Sequence, residues 1–311
     1  MLDSNPQAAL MNDSGTEARE LSANQSLPAV TIFALPKPFG GKTDLIQRNA
    51  IQSWARLKPD VEVLLLGDEA GIKETAEELG VRHASGLKSN EHGTPLLNSA
   101  FQLAHQESTT DYLAYCNCDV ILTRDFPNSI KRLSDEAHFG QFVAFGQRTD
   151  LNVDRAIDFD QSIQVERLLK ECQNEGVRSS NVCKEYFIFN RQLYKTIPPF
   201  AVGRGNWDNW MIHSAKQNRV PVINLSKMVT AIHQSHDYSH ASLNRWGCYV
   251  SGAEAKENRR LGGGSHIISG STANWKLTRD GLKKELPKLI NPSFWADAPR
   301  FTRLVFDLLV R

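Results

Sequence analysis

The sequence predicts an α/β fold with a mixed, mainly parallel sheet and helices on both faces. Short runs rich in β-branched and aromatic residues alternate with stretches whose apolar residues recur at helical spacing. The first strands are apolar almost throughout, as in sheets that are covered on both sides. Strand, helix, strand, helix in this order requires right-handed crossovers, which place the helices over the sheet.

The first two strand–helix pairs show this pattern most clearly. Residues 30–35 are β-rich and end at Pro36, which favours a buried first strand. Apolar residues then recur at helical spacing from Ile46 to Leu57 and stop before Pro59. Residues 61–66 form a nearly continuous apolar run, and a second helix is expected to end near Leu79. These elements predict two parallel strands with their crossover helices.

The alternation continues through the middle of the chain, with helix and strand signals in turn. The expected helices lie near 97–104, 159–172 and from Trp207 onward, and the expected strands are 112–115, 142–145, 185–189 and 220–225. From about Tyr249 the chain becomes polar and rich in glycine, and we expect regular alternation to be lost there.

Composition divides the chain into three parts. Residues 1–27 are rich in Ser, Asn, Asp, Ala and Glu and predict a disordered tail. Residues 28–248 form the main domain, and residues 249–311 are expected to pack on it or to form an acceptor lid. The final stretch from Phe301 is amphipathic with basic ends, so two interpretations stay open: packing on the domain, or peripheral contact with a membrane or a partner subunit.

Bulk charge and hydropathy exclude several classes of protein. Lys and Arg total 36 against 35 for Asp and Glu, which argues against a nucleic-acid-binding protein. No apolar run reaches the roughly 18 residues that span a bilayer. The first 27 residues lack the basic start and apolar stretch of a signal peptide, and the five cysteines show no regular spacing. We therefore expect a soluble cytoplasmic protein with reduced cysteines, the membrane's inner face being the alternative location.

The main candidate site is Asn117-Cys118-Asp119, which follows the strand at 112–115. In open parallel sheets, ligands bind beyond the carboxyl ends of the strands. The sequence has neither GxGxxG nor GxxxxGK[ST], the usual backbone cradles for phosphate. A carboxylate that holds Mn²⁺ or Mg²⁺ against a diphosphate is the remaining solution. The alternative interpretation is that Asp119 is only a turn residue.

Residues 112–122 resemble the strand and DXD region of GT-A glycosyltransferases. In that family the last aspartate of the motif binds the metal and the first often contacts the ribose or the metal. Here Asp119 stands at the last position and Asn117 at the first, so one charge is missing. The resemblance extends over about residues 29–240. It implies a hexosyltransferase of polysaccharide biosynthesis that moves sugar from a UDP- or GDP-sugar to a hydroxyl of a glycan or lipid-linked acceptor.

The resemblance also implies roles for residues near other strand and helix ends. Asp208, at a predicted helix start, corresponds to the general base of inverting GT-A enzymes; the alternative is that it only stabilises the helix dipole. The nucleotide base would contact the end of the first strand, and two further side chains would approach the donor. Ala34, Leu35 and Pro36 form the end of the first strand, and Arg48 and Asp68 are the two further side chains.

A histidine far downstream completes the metal shell in many GT-A enzymes. His236 is the first candidate and His233 the second. Two other interpretations stay open. One is a zinc site, since His233, His236 and His240 would share one face of a helix. The other is a solvated cluster without function.

Two other functions also stay open. A sugar-phosphate nucleotidyltransferase shares a similar sheet and an acidic metal site, although residues 35–41 match its glycine-rich signature poorly. A non-catalytic relative that binds nucleotide sugars would explain the missing charge at Asn117.

Overall fold

The computed structural model describes residues 30–179, 183–236, 252–264 and 273–285. The helices of this part of the chain are α1 (Gly41–Ala55), α2 (Ile72–Leu79), α3 (Leu97–Glu107), α4 (Asp125–Glu136), α5 (Ser162–Glu175), α6 (Trp207–Gln217) and α7 (Ala253–Leu261). The strands are β1 (Val30–Ala34), β2 (Val61–Leu66), β3 (Arg82–Ala84), β4 (Tyr112–Cys116), β5 (Val120–Ile121), β6 (Val143–Leu151), β7 (Val177–Arg178), β8 (Lys184–Asn190), β9 (Val222–Asn224), β10 (Ala231–Gln234), β11 (Trp275–Thr278) and β12 (Gly281–Lys284).

The main sheet has the strand order β12-β11-β9-β6-β8-β4-β1-β2-β3. β1 is parallel to β2 and to β4, and β9 is parallel to β6 and to β11. Between these two parallel groups, β8 runs antiparallel to β4 and to β6. The predicted mixed, mainly parallel sheet is therefore confirmed.

Helices cover both faces of the sheet, as predicted. Apolar residues of α1, α2 and α4 pack on one face, and those of α3 and α6 pack on the other. On the second face the Phe33 ring lies edge-on to Phe101, with centroids 5.1 Å apart, and Phe101 stacks on Phe189 at 5.3 Å. Each of these rings is almost fully buried, which contributes about 1.5–3 kcal/mol per side chain.

A bulge at Glu185 of β8 lies where a second, smaller sheet begins beside the first. The pairing of β6 with β8 shifts register between Gly146 and Gln147. Beyond this point β6 pairs in parallel with β10, and β10 pairs antiparallel with β5. A side chain at position 146 would collide with the Tyr186 hydroxyl, so glycine is required there. The end of β6 therefore lies beside β10, which connects it to β5 after the turn that follows β4.

The part of the chain after Tyr249 is more regular than the sequence indicates. We expected alternation to end there, but residues 253–261 form α7, and β11 continues the main sheet in parallel with β9. The apolar pattern missed α7 because polar contacts hold much of this helix: buried Asn258 donates to the Ala201 carbonyl at 3.0 Å, and Arg204 pairs with Glu254 at 2.6 Å. The predicted tail at residues 1–27 and the amphipathic segment from Phe301 lie outside the described residues. No helix in the described ranges has both the length and the apolarity needed to cross a membrane.

Candidate metal and nucleotide site

The candidate site begins in the short turn between β4 and β5. The Asn117 N–H donates to the Glu185 carbonyl at 3.1 Å, and the Val120 N–H donates to the Asn117 carbonyl at 3.2 Å. Helix α1 supports β5, since the indole of Trp54 donates to the Val120 carbonyl at 2.9 Å. Asp119 therefore projects from a turn that is fixed on both sides.

Strand β10 brings the two candidate histidines to this turn. His233 is paired with Val120 of β5 and with Asp150 of β6. The Gln234 N–H donates to the Asp119 carbonyl at 3.0 Å, which ties the strand to the turn. Since His233 lies in a strand, the interpretation that placed three histidines on one helical face is wrong. His240 lies outside the described residues.

Asp119, His233 and His236 form a compact cluster. The Oδ2 atom of Asp119 lies 3.3 Å from Nε2 of His233 and 3.2 Å from Nε2 of His236. One ligand atom from each of the three residues lies within 4.8 Å of the other two. His233 is buried, and the other two are half-buried and reachable from solvent. The structure thus brings both histidine candidates to Asp119.

The charge state of this cluster is set by its own contacts. Burial acts to raise the pKa of Asp119, but hydrogen bonds and charge from His233 and His236 hold the pKa of that carboxyl well below its ordinary value. Burial acts to lower the pKa of His233, and Asp119 outweighs it and raises this pKa. Burial and the neighbouring Asp119 raise the pKa of Cys118, so this thiol stays protonated at neutral pH. The ionised carboxylate is therefore the fixed negative charge of the site.

The residues present fit a divalent cation. The Oδ1 atom of Asp119 is buried and has no hydrogen-bond partner among the described residues, an arrangement that is costly unless a ligand satisfies it. One carboxylate and two imidazoles make a mixed oxygen and nitrogen donor set. Such a set suits a transition ion such as Mn²⁺ better than Mg²⁺, which prefers oxygen ligands and water.

The end of β1 borders the same edge of the sheet. β1 and β4 are parallel, with Phe33 opposite Tyr115, so residues 34–36 continue beside the start of the turn. Ala34 and Pro36 are buried, and Leu35 is half-buried. Their predicted contact with the nucleotide base remains a prediction.

Arg48 and Asp68 each make contacts that join neighbouring elements of the fold. Arg48 pairs with Asp44 and with Glu78 at 2.8 Å each, which joins α1 to α2. Asp68 accepts a hydrogen bond from the Gly86 N–H at 3.0 Å and links the ends of β2 and β3. Their proposed approach to the donor also remains a prediction.

Asp208 lies in the first turn of α6, at the helix start where it was predicted. The preceding Trp207 is buried against Tyr115 of β4, with ring centroids 5.0 Å apart, so the helix start is attached to the strand that leads into the site. Asp208 is 9% exposed, and in the described part of the chain its Oδ1 atom has no hydrogen-bond partner. Burial lowers the pKa of Lys184, and the charge of Asp208 opposes that effect. A buried, partly unsatisfied carboxylate thus stands beside a buried lysine.

Three charged residues near the cluster were not predicted as part of the metal site. Nδ1 of His233 lies 2.7 Å from Oδ1 of Asp150, and Arg148 Nε lies 2.9 Å from the same oxygen. Arg148 also pairs with Glu185 near the start of β8. Arg148 and Asp150 were missed because β6 continues past the strand expected at 142–145, and polar residues near its end give no apolar signal.

Comparisons with known proteins were made with the whole chain. No family model matches it, and no curated protein does. Among solved structures, glucosyl-3-phosphoglycerate synthase from Mycobacterium tuberculosis, in complex with Mn²⁺, UDP and glucosyl-3-phosphoglycerate, is 13% identical, with 84% of this chain and 90% of that chain covered and a TM-score of 0.44. A mannosyltransferase from Pyrobaculum calidifontis in complex with GDP-Man and Mn²⁺ is 13% identical, with 68% and 58% covered and a TM-score of 0.42.

A third solved structure, of a mycobacterial protein, is 15% identical, with 74% of this chain and 75% of that chain covered and a TM-score of 0.45. Likeness at these scores assigns no activity to this chain, so its function is inferred from the site itself.

Proposed function

We propose that the chain is a metal-dependent glycosyltransferase that uses a nucleotide-diphosphate sugar. The observation that supports this most directly is the Asp119, His233 and His236 cluster at the end of β4, with one Asp119 oxygen left without a partner. Ligands of open α/β sheets bind beyond such strand ends. The sequence also lacks the glycine-rich cradles that would bind a diphosphate without a cation.

In this function Asp119, His233 and His236 would hold a divalent cation, Mn²⁺ or Mg²⁺. When bound, the cation neutralises charge on the diphosphate leaving group. The nucleoside is proposed to bind against the turn at residues 117–119 and against the end of β1 at residues 34–36. Arg48 and Asp68 are proposed to act at the outer side of the donor.

Asp208 is proposed as the general base that takes the proton from the acceptor hydroxyl, with inversion at the anomeric carbon. Its position supports this role because α6 starts against Tyr115, and because Asp208 Oδ1 is buried without a partner. A general base must reach the proton that it removes, directly or through one water. The acceptor is proposed to be a hydroxyl of a glycan or of a lipid-linked sugar, and the site of action the cytoplasm.

The test uses the full-length chain with Mn²⁺ and a panel of UDP- and GDP-sugars. Release of UDP or GDP is measured with and without EDTA, for the wild type and for Asp119→Asn. We expect turnover that chelation abolishes and Mn²⁺ restores, and Mn²⁺ binding by the wild type that is at least about a hundredfold tighter than by the variant, which lacks the only ionised ligand. Asp135→Asn, at an exposed carboxylate on α4, is the matched control.

Three outcomes contradict the proposal. Turnover that ignores EDTA excludes a metal-bound diphosphate. Release of pyrophosphate from a nucleoside triphosphate and a sugar phosphate identifies a nucleotidyltransferase instead. Donor binding by calorimetry without turnover on any acceptor, unchanged in Asp208→Asn, identifies a non-catalytic binding protein.

A further inference from the structure

A buried series of charged and amide groups connects two residues of the candidate site. Asn117 donates from Nδ2 to Oε2 of Glu185 at 2.5 Å, and Arg148 Nη1 lies 2.5 Å from the other oxygen, Oε1. The same guanidinium lies 2.9 Å from Asp150, which accepts from His233 at 2.7 Å. A single cation therefore lies between two carboxylates, and each carboxylate contacts one residue of the site.

Burial makes the ion pair between Arg148 and Glu185 costly to break. The side chains of Arg148 and Glu185 are 9% and 8% exposed. A buried charge that loses its partner destabilises a protein far more than a surface charge does, which favours the ion pair between Arg148 and Glu185. Glu185 is therefore a fixed carboxylate beside Asn117.

A carboxylate can only accept hydrogen bonds, and this sets the orientation of the Asn117 amide. Nδ2 must face Glu185, and Oδ1 must face away from it. Asn117 is half-buried, and within the described ranges its Oδ1 accepts no hydrogen bond. An aspartate at position 117 would instead bring two carboxylates into contact, and like charges at this distance repel strongly.

We propose that Glu185 is a positioning residue for Asn117. It supplies the negative charge that position 117 lacks, and it fixes the amide so that Oδ1 accepts a hydrogen bond from a hydroxyl of the bound nucleotide. Arg148 holds Glu185 in place through their ion pair. The proposal rests on the proposed function, because it takes a nucleotide with free hydroxyls as the ligand.

The test exchanges the two kinds of side chain, so that a carboxylate stands at position 117 and an amide at position 185. Four full-length chains are compared: the wild type, Asn117→Asp, Glu185→Gln and the double variant. Binding of UDP and of GDP is measured by calorimetry with saturating Mn²⁺. Each single variant is expected to bind about tenfold more weakly, because a charge-assisted hydrogen bond is lost or replaced by repulsion.

The double variant is expected to recover binding to within about threefold of the wild type. In it the amide introduced at position 185 donates to the carboxylate introduced at position 117, and the carbonyl of that amide accepts from Arg148, so both contacts and the net charge are restored. A residue that only supports the fold would not show this reciprocal rescue. Glu171→Gln is the matched control. Glu171 lies on α5 and accepts hydrogen bonds from Arg167 of the same helix and from Arg155, which precedes the helix.

The results separate this proposal from the proposed function. The positioning role alone is overturned if the losses of nucleotide affinity in the two single variants add up in the double variant. It is also overturned if the single variants bind like the wild type. Failure of the wild type to bind either nucleotide with Mn²⁺ overturns the proposed function and this proposal with it. Circular dichroism checks folding. If a single variant unfolds, Glu185→Asp, which keeps the charge but shortens the reach, must weaken nucleotide binding, and unchanged binding contradicts the proposal.

Discussion

Nδ1 of His233 lies 2.7 Å from Oδ1 of Asp150, on the strand beside it. A carboxylate accepts, so Nδ1 carries the hydrogen in this contact, and the neutral form of the ring leaves the lone pair on Nε2, which faces Asp119. Histidines that bind metals are commonly oriented in this way by a second carboxylate. Asp150 thereby prepares His233 to bind a cation, and the first prediction follows from this contact.

Asp150→Asn is expected to weaken Mn²⁺ binding by about 10- to 100-fold, because the amide retains an acceptor oxygen but loses the charge that favours this tautomer. Mn²⁺ affinity is measured by electron paramagnetic resonance titration. Asp154→Asn, at an exposed carboxylate after the same strand, is the control and should bind like the wild type. Equal affinity of Asp150→Asn and the wild type would show that the contact does not orient the ligand.

Asp208→Asn is expected to reduce kcat by about 10²- to 10⁴-fold, since the amide cannot accept the acceptor proton. The KM for the donor should remain unchanged, because Asp208 is proposed to act on the acceptor. Steady-state kinetics measure both constants. Glu74→Gln, at an exposed acidic residue in the first turn of α2, is the matched control. A product that retains the anomeric configuration, seen by nuclear magnetic resonance, would remove this role from Asp208.

Raising the pH is expected to increase the stabilisation of the protein by Mn²⁺. Burial acts to lower the pKa of His233, but Asp119 outweighs it and raises this pKa above the ordinary 6.5. A raised folded-state pKa stabilises the metal-free protein below the unfolded pKa, and this contribution is lost as the pH rises through the folded-state pKa. A cation requires neutral imidazoles, so its binding has the opposite dependence.

The increase in Tm caused by a fixed Mn²⁺ concentration should therefore be larger at about pH 8 than at about pH 6, measured by differential scanning fluorimetry. Asp119→Asn should show almost no increase at either pH. A Tm increase that does not change with pH in the wild type would mean that the histidines are not ligands.

Trp54→Phe is expected to destabilise the protein by about 1 to 3 kcal/mol, because it leaves the buried Val120 carbonyl without the indole donor. The strand that supports Asp119 should then loosen, and Mn²⁺ affinity should fall as well. Urea denaturation measures the free energy of unfolding. Trp210→Phe serves as the control, since Trp210 is half-buried and packs against Phe200 without an indole hydrogen bond among the described residues. A smaller effect at Trp54 than at Trp210 would contradict this prediction.

Most of the sheet could be predicted from local pattern. β1, β2, β4 and β8 are continuous apolar or aromatic runs, and such runs reveal buried strands without knowledge of their partners. β5 and β10 could not be predicted in the same way. They have only two and four residues, and pairing across the chain, rather than their own composition, makes them strands.

The sequence alone determined the class of fold and the position of Asp119 at a strand end, because periodicity and turn residues act over a few neighbours. Only the tertiary structure decided that His233 and His236 both reach Asp119, the second across 117 positions of sequence. It also placed Asp150, Arg148 and Glu185 behind them. Strand register and the bulge in β8 set these distances, and a polar residue in a sequence does not reveal which distant strand will lie beside it.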